Sequence, residues 1–137
     1  MRSSGGSRQD SGFIDDSHRP YLTCWIALDD VTEANGTVYL LPYSRAGTRD
    51  VVKHTRDEAS NDLVGYSGDD PGDPVIVPAG SIACFSSTLL HRSGPNTTDR
   101  MRRVYVAQYS AEPILSEDGS QPRRLAVPLL VDGKRVS

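Results

Sequence analysis

Residues 21–28 constrain the fold more than any other part of the sequence, because they alternate as a β-strand and are apolar or aromatic on both faces. One face carries Leu22, Cys24, Ile26 and Leu28, and the other carries Tyr21, Thr23, Trp25 and Ala27. A strand of this kind is typical of the inside of a sandwich or barrel. Further short strands are predicted at 37–41, 74–77, 81–86 and 104–109, separated by Gly and Pro turns. The pattern therefore predicts an all-β fold of the jelly-roll kind.

The composition limits the class of protein. A chain of 137 residues is one domain that can bury a core, and its net charge of −3 argues against nucleic-acid or anionic-lipid partners. No apolar run approaches the roughly 20 residues of a membrane span, and the polar N-terminus does not resemble a signal peptide. Cys24 and Cys84 lie in apolar runs and are predicted to be small buried hydrophobes, with a disulfide as the less favoured alternative. We therefore expect a cytoplasmic protein.

Changes in composition divide the chain into three parts. Residues 1–7 are rich in Gly and Ser and are predicted to be disordered. Residues 8–112 are predicted to form the core, within which the polar stretch 44–73 is long for a plain connector and is predicted to be an active-site lid. Residues 113–137 are predicted to be a tail that packs on the core edge through an apolar patch at 125–131.

The chain after the fourth predicted strand contains two side chains that are suited to binding a metal or a ligand. His91 ends an apolar run, and Arg102 opens the next strand eleven positions later. On neighbouring antiparallel strands both side chains can point into one cavity, where an imidazole binds metal and a guanidinium holds a carboxylate by two hydrogen bonds. The plain alternatives are a core histidine for His91 and a surface charge beside Arg103 for Arg102. Alternation places Arg102 on the face of Val104, but either face can be the interior one.

Several sequence blocks occur in a characteristic order. They are Arg19-Pro20-Tyr21-Leu22-Thr23-Cys24-Trp25-Ile26-Ala27-Leu28-Asp29-Asp30-Val31, Asn35-Gly36-Thr37-Val38, Leu41-Pro42-Tyr43-Ser44, and His91-Arg92-Ser93-Gly94-Pro95-Asn96 with Arg102. Together they resemble the phytanoyl-CoA dioxygenase family from about Gln9 to Tyr109. The resemblance implies a double-stranded β-helix of the jelly-roll or cupin type that uses Fe(II) and 2-oxoglutarate. We expect the chain to correspond to the C-terminal part of a family member, and so to be N-terminally truncated.

The resemblance also implies a role for individual residues. Asp10 and His91 correspond to metal ligands, Arg102 to the clamp on the far carboxylate of 2-oxoglutarate, Ser93 to its hydroxyl helper, and Trp25 to an aromatic that lines the cosubstrate pocket. The plain alternatives are a turn aspartate for Asp10, a core residue for Trp25 and a turn residue for Ser93. The implied reaction is hydroxylation of a C–H bond in a small organic substrate.

One position departs from the family pattern. The family ligates iron through a His-x-Asp pair and a distant His, yet the residue two before Asp10 is Arg8. A guanidinium has no lone pair to offer a metal, and its charge opposes a cation. The alternative function is therefore a catalytically impaired remnant or pseudo-enzyme, either a small-carboxylate binder using Arg102 and Ser93 or an oligomerising barrel with exposed strand edges, for example a homodimer.

His18 and His54 are the other two histidines of the chain. A third hypothesis is a metal-binding cupin that holds its ion through Asp10, His91 and His18. His54 lies in the polar insert and is predicted to be solvated.

Overall fold

The structure, a computed structural model, describes residues 6–123 and 126–136. In chain order its elements are a 3₁₀ helix (Asp10–Phe13), β1 (Leu22–Ala27), β2 (Val38–Leu40), α1 (Tyr43–Ala46), β3 (Thr55–Arg56), β4 (Leu63–Val64), β5 (Asp73–Pro74), β6 (Ile82–Ser86), β7 (His91–Ser93), β8 (Val104–Tyr109), β9 (Leu130–Val131) and β10 (Lys134–Arg135). Within these residues no helix combines the length and apolar character needed to cross a membrane.

Two three-stranded antiparallel sheets form the body of the molecule. Their strand orders are β6-β1-β8 and β5-β2-β7, and two hairpins, β3-β4 and β9-β10, lie outside them. The arrangement confirms the predicted all-β jelly-roll class. The predicted strand at 74–77 is shorter than expected, because pairing with β2 stops at Pro74 and Val77 forms only a single bridge with Val31.

The core contains residues from both sheets. Its buried members are Trp25, Ala27, Val31, Val38 and Phe85. In β1 the residues that point inward are Thr23, Trp25 and Ala27, which are all buried. The inward face of β1 is therefore the one that begins with Tyr21.

The opposite face of the β6-β1-β8 sheet is solvent-exposed, contrary to the expectation of a strand covered on both sides. Leu22 is 43% exposed and Ile82 57%, while Cys84 is exposed and Cys24 half-buried. The prediction of two buried cysteines is therefore wrong. Alternation assigned them to an apolar face, but no described element covers that face.

The segment before the 3₁₀ helix is joined to the core by backbone hydrogen bonds. Arg8 and His91 exchange N–H···O bonds of 2.8 Å in both directions, and the Ser7 amide donates to the Tyr66 carbonyl at 2.9 Å. Ser7 is 2% exposed. Predicted disorder over 1–7 is thus wrong for residues 6 and 7, and residues 1–5 lie outside the described part.

The tail differs from its prediction in a similar way. It contacts the loop before β1, where Arg123 pairs with Asp16 at 2.5 Å. The apolar patch predicted to cover an edge is exposed over its described part, with Val127 89% and Leu130 61% accessible. Residues 124 and 125 lie outside the described residues.

A glycine permits a close approach next to the core. Gly36 has a φ of +87°, and a Cβ on it would lie 2.8 Å from the Gly94 carbonyl oxygen. Only glycine fits this left-handed turn without a clash. The Asn35-Gly36 turn thereby lets the loop that follows β7 approach the start of β2.

Candidate active site

Asp10 and His91 lie side by side although they are far apart in sequence. His91 Nε2 is 3.4 Å from Asp10 Oδ1, and the side chains are 9% and 19% exposed. The Arg8–His91 bridge positions this pair, because it fixes the strand segment that leads into Asp10 against β7. The two predicted metal ligands therefore share one small, mostly buried site.

The ring of His91 is oriented by its backbone and by a neighbouring phenyl group. Its Nδ1 lies 3.0 Å from the Leu89 carbonyl oxygen, which can only accept, so Nδ1 carries the proton. The Phe85 ring packs on the imidazole with 4.9 Å between centroids. In a neutral ring the lone pair of Nε2 then points at the Asp10 carboxylate. Two acceptors in contact require a shared proton or a cation.

Two polar side chains hold the other oxygen of Asp10. The Thr23 hydroxyl donates to Oδ2 at 2.6 Å, and the Gln108 amide donates to the same atom at 3.1 Å. Burial alone would raise the pKa of the Asp10 carboxyl. A protonated His91 ring lowers the pKa through its hydrogen bond and its charge, and the hydrogen bonds from Thr23 and Gln108 lower it further. Together they outweigh burial, so the pKa lies below its usual value.

Arg102 lies on the interior side of the β6-β1-β8 sheet. Its Cζ is 5.4 Å from the centroid of the Trp25 ring, and its Nε is buried without a hydrogen-bond partner among the described residues. Burial lowers the pKa of the guanidinium, and no carboxylate among residues 6–123 and 126–136 offsets that effect. Trp25 follows Thr23 on the same face of β1, roughly 7 Å along the strand. The site therefore has an uncompensated cation next to the strand position that holds Asp10.

Arg103 has the opposite environment. Its Nη2 is 2.7 Å from Asp29 Oδ1, and its side chain is 62% exposed. This contact resolves the ambiguity left by alternation: Arg102 faces inward and Arg103 faces outward.

The other residues implied by the resemblance are placed less centrally. Ser93 lies on β7 two positions after His91, on the same side of the strand, and is exposed. Its hydroxyl makes no hydrogen bond to Arg102 within the described residues. Trp25 is 6% exposed and belongs to the hydrophobic core, so it both packs in the core and supports Arg102.

Arg8 directs its charge away from the carboxylate of the site. Its Nη1 lies 3.5 Å from Asp62 Oδ1 in the insert, and its side chain is 34% exposed. The backbone of Arg8 nevertheless pairs directly with that of His91. The position two before Asp10 is therefore next to His91, as a third ligand would need to be, but carries the wrong side chain.

His18 does not complete a metal site. Its Nε2 contacts the Ser11 hydroxyl at 2.9 Å and its Nδ1 contacts the Asp16 carbonyl at 2.7 Å. Across residues 6–123 and 126–136, no three His, Cys, Asp or Glu side chains are grouped so that they could hold a metal. The hypothesis of an Asp10–His91–His18 site is therefore not supported by the geometry.

His54 is half-buried rather than solvated. Its Nδ1 lies 2.8 Å from the Val52 carbonyl oxygen, and its Nε2 accepts a hydrogen bond from the backbone N–H of Gln9 at 3.0 Å. The ring lies so close to Gly12 and Gly65 that a Cβ on either would overlap it. His54 thus fixes the backbone of the residue immediately before Asp10. The solvated interpretation was wrong because the insert folds back onto the site.

Gln9 connects the insert to the core. It is 1% exposed. The side-chain NH2 group donates to the carbonyls of Asp50 and Thr88 at 2.9 and 2.5 Å, and the side-chain oxygen accepts a hydrogen bond from the Val52 backbone N–H at 2.9 Å. The stretch 44–73 contains α1 and the β3-β4 hairpin and is anchored at this point. Its role as a lid stays a prediction.

Two surface cavities lie elsewhere. One of about 430 Å³ is lined by the tail residues Ser116, Glu117, Asp118 and Arg123, and one of about 70 Å³ lies beside Arg92. Neither is lined by Asp10, His91 or Arg102. The shared hollow expected between His91 and Arg102 is therefore not one of these two cavities.

The sequence of this chain matches a known protein family. Residues 3–104 match the sequence model of the phytanoyl-CoA dioxygenase family, PhyH. The chain belongs to the phytanoyl-CoA dioxygenase family. Its Asp10 and His91 therefore occupy a family domain rather than an unrelated barrel.

Curated relatives and solved structures agree with this family. The chain is 31% identical over 111 residues to a probable alpha-ketoglutarate-dependent hypophosphite dioxygenase of Stutzerimonas stutzeri, covering 75% of this chain and 38% of that protein. It is 32% identical over 89 residues to phytanoyl-CoA dioxygenase domain-containing protein 1 of Danio rerio, covering 60% and 30%. The crystal structure of EvdO2 from Micromonospora carbonacea var. aurantiaca complexed with 2-oxoglutarate is 28% identical, with a TM-score of 0.58 and coverage of 80% and 48%. The chain thus spans between 30% and 48% of the length of these proteins.

Sequence reasoning missed the residues that hold the site together. Thr23 and Gln108 fix Asp10, while Phe85 packs against His91. Thr23 gave a usable signal, because it is the polar member of a face that also carries Trp25 and Ala27. Gln108 lies an even number of positions after Arg102 and therefore points to the same face of the strand. It could be assigned to the site only once that face was known to be interior. Gln9 and His54 gave no local signal.

Proposed function

We propose that this chain forms the metal- and oxoacid-binding barrel of an Fe(II)/2-oxoglutarate-dependent dioxygenase that hydroxylates a C–H bond of a small organic substrate. The observation that carries the proposal is the Asp10–His91 pair, in which Nδ1 of the imidazole is committed to the Leu89 carbonyl and Nε2 is aimed at the carboxylate. Family membership and one relative named as a probable alpha-ketoglutarate-dependent dioxygenase support it.

The donor set fits a first-row metal ion at two of its ligand positions. A metal-bound histidine typically donates its other ring N–H to a carbonyl, as His91 does to Leu89. His91 Nε2 and Asp10 Oδ1 are 3.4 Å apart, so one ion could contact both atoms. Asp10 and His91 would therefore hold the ion, and the Thr23 and Gln108 bonds to Oδ2 leave Oδ1 free for it.

The unpartnered Arg102 fits the far carboxylate of the oxoacid. A guanidinium binds a carboxylate through two parallel hydrogen bonds, and a ligand carboxylate would supply the partner that its buried Nε lacks. The Trp25 ring beneath it restricts its direction. When bound, Fe(II) and 2-oxoglutarate supply the oxidising chemistry, in which the oxoacid loses carbon dioxide. The residues of this chain position the bound groups and shield the reaction from solvent.

Arg8 supports a second candidate, a carboxylate-binding pseudo-enzyme. Its side chain cannot ligate a metal, and its guanidinium is paired with Asp62 rather than with Asp10. Under this proposal Arg102 binds a small dicarboxylate, and Asp10 and His91 form an ordinary ion pair. The two candidates differ in whether a divalent metal binds and whether the oxoacid depends on it.

Anaerobic absorbance spectroscopy separates these candidates. If the chain is a dioxygenase barrel, Fe(II) together with 2-oxoglutarate gives a visible charge-transfer band, and Arg8→His strengthens metal binding by at least about tenfold by adding a third ligand. Arg102→Met weakens oxoacid binding in both cases. Isothermal titration with 2-oxoglutarate, with and without Fe(II), measures the dependence.

Each result has a clear consequence. Oxoacid binding that requires Arg102 but is indifferent to Fe(II) would favour the pseudo-enzyme. If Arg8→His and Asp10→Asn both leave Fe(II) affinity unchanged, Asp10 and His91 are not metal ligands and the dioxygenase proposal fails.

A further inference from the structure

We propose that Cys24 and Cys84 form a dithiol modification site that closes reversibly to an intramolecular disulfide by exchange with small disulfides. The two Sγ atoms are 3.6 Å apart on the exposed face of the β6-β1-β8 sheet, and both cysteines are free thiols. Cys24 of β1 lies directly opposite Cys84 of β6. This site is on the opposite side of the sheet from Asp10 and Arg102, so the proposal does not depend on the proposed function.

The strand register places the pair where a cross-strand disulfide is sterically easiest. The Ala27 amide donates to the Ser81 carbonyl at 2.9 Å, and the Ser87 amide donates to the Tyr21 carbonyl at 2.8 Å. Hydrogen-bonded pairs alternate along an antiparallel ladder, so the odd-numbered residues of β1 are hydrogen-bonded and Cys24–Cys84 is a non-hydrogen-bonded pair. Such pairs have Cα atoms about 4.5 Å apart, at the near end of the disulfide range of about 4.4–6.8 Å.

The two thiols have different roles because their surroundings differ. Cys84 is exposed and is the thiol that a reagent in solution reaches first. Cys24 is half-buried, and burial, the hydrogen bond with Cys84 and the charge of Cys84 all raise its pKa. Cys84 is therefore the entry thiol, and Cys24 is the resolving thiol that reacts once a neighbouring sulfur is activated.

The exchange proceeds in two balanced steps. The Cys84 thiolate, formed by loss of its proton to solvent, attacks one sulfur of a small disulfide, breaks its S–S bond and releases one thiolate. Cys24 then loses its proton, attacks the Cys84 sulfur of the mixed disulfide and releases the second thiolate. Two protein thiols are oxidised by two electrons in total, and one small disulfide is reduced to two small thiols.

The closed bond would act on stability rather than on the chemistry of the site. It joins β1, whose inner face carries Thr23 and Trp25, to β6, whose Phe85 packs against His91. The cysteines are 60 positions apart, so the bond removes much conformational freedom from the unfolded chain. An increase in the thermal unfolding midpoint on the order of 10 °C is expected.

Intact-mass spectrometry after incubation with oxidised glutathione tests the proposal. The wild-type chain should lose the mass of two hydrogen atoms, retain no glutathione and resist later alkylation by iodoacetamide. Cys24→Ser should retain one glutathione on Cys84, because the resolving thiol is absent. Cys84→Ser should react at least about tenfold more slowly, because Cys24 is less accessible.

The wild-type product distribution alone decides the outcome, whether or not the serine variants fold. A stable glutathione adduct, disulfide-linked dimers or unreacted thiols at equilibrium would each overturn the proposal. The loss of two hydrogens together with the higher unfolding midpoint, both reversed by dithiothreitol, would establish it.

Discussion

Arg102 and Arg103 are adjacent in sequence but differ in environment, and the difference sets opposite effects on stability. Arg102 is partly buried over Trp25 with no carboxylate partner in the described part of the chain, whereas Arg103 is 62% exposed and paired with Asp29. A charge kept from water without a partner destabilises the fold, while a surface pair contributes little. Residue identity alone does not predict which of the two is a ligand-binding group.

We expect Arg102→Met to stabilise the ligand-free protein and weaken oxoacid binding. The loss of an unpaired, desolvated charge outweighs the cation–π contact with Trp25, so the free energy of unfolding rises by up to about 1 kcal/mol after allowing for the remaining solvent contact. Urea unfolding measures the change. Arg103→Met is the matched control and should lower stability slightly without changing ligand binding. A destabilised Arg102→Met variant would mean that Arg102 has a structural role.

The Asp29 carboxyl offers a direct test of the outward pair. Arg103 donates to it from both its side chain and its backbone, and its pKa is lowered to about 2. The folded pKa is below the unfolded value of about 3.9, so this contribution to stability is present above about pH 4 and is lost as the pH falls towards 2.

In the Arg103→Met variant the pKa of Asp29 should rise from about 2 towards 3.9, without reaching it, because the backbone hydrogen bond remains. Carboxyl carbon NMR titration follows the change. Asp118 serves as the internal control, since its pKa of about 2 comes from Ser116 and Ser120 and should not move. An unchanged Asp29 titration would show that the pair is absent in solution.

At the level of elements, the insert at 44–73 and the segment that carries Asp10 are joined by hydrogen bonds. Gln9 bonds to the backbone of Asp50, Val52 and Thr88, and His54 accepts the Gln9 amide. The residue before Asp10 is therefore held by the polar insert and by the loop before β7. A movement of the insert would be transmitted to the carboxylate through this contact.

We expect Gln9→Ala to release the insert and destabilise the fold by about 3 kcal/mol, because one buried and two partly buried hydrogen bonds of about 1 kcal/mol each are lost. Hydrogen–deuterium exchange should increase at residues 50–54. Gln121→Ala, an exposed glutamine in the tail, is the matched control and should change neither quantity. If exchange in 50–54 stayed slow in Gln9→Ala, another contact would be holding the insert.

At the scale of the whole molecule, the exposed face of the β6-β1-β8 sheet is the main unexplained surface. Tyr105, Ile82 and Tyr109 are 61%, 57% and 50% exposed. The outer edge of β8 has no pairing strand within the described residues. Apolar sheet faces with open edges are typical of association sites. We propose that a second copy of the chain pairs along this outer edge of β8, as the sequence predicted for exposed strand edges. Cys84 lies on β6, the far strand of the sheet, and stays open to solvent in this arrangement.

Sedimentation equilibrium at several concentrations should therefore show reversible dimers, and Tyr105→Lys should weaken them by at least about tenfold, because a charge would be desolvated in the interface. Val127→Lys is the control, since Val127 is 89% exposed but lies in the tail. A monomer at every concentration, or equal weakening by both variants, would contradict association through the β8 edge.

The sequence by itself determined the local structure and the family. Period-two alternation in residues 21–28 and 104–109 predicted β1 and β8, and the blocks around His91 predicted the family that comparison confirmed. These features depend on backbone preferences and short motifs, which act over a few residues. Arg8 was likewise recognised as a departure from the ligand pattern from its chemistry alone.

Only the tertiary structure decided which faces are interior and which distant residues meet. Both faces of β1 are apolar, so alternation could not show that Cys24 faces solvent while Thr23 faces Asp10. The contacts of Asp10 with Gln108 and of Gln9 with His54 span 98 and 45 positions and depend on how sheets and loops pack. Burial of a face is a property of what lies against it, and no local pattern contains that information.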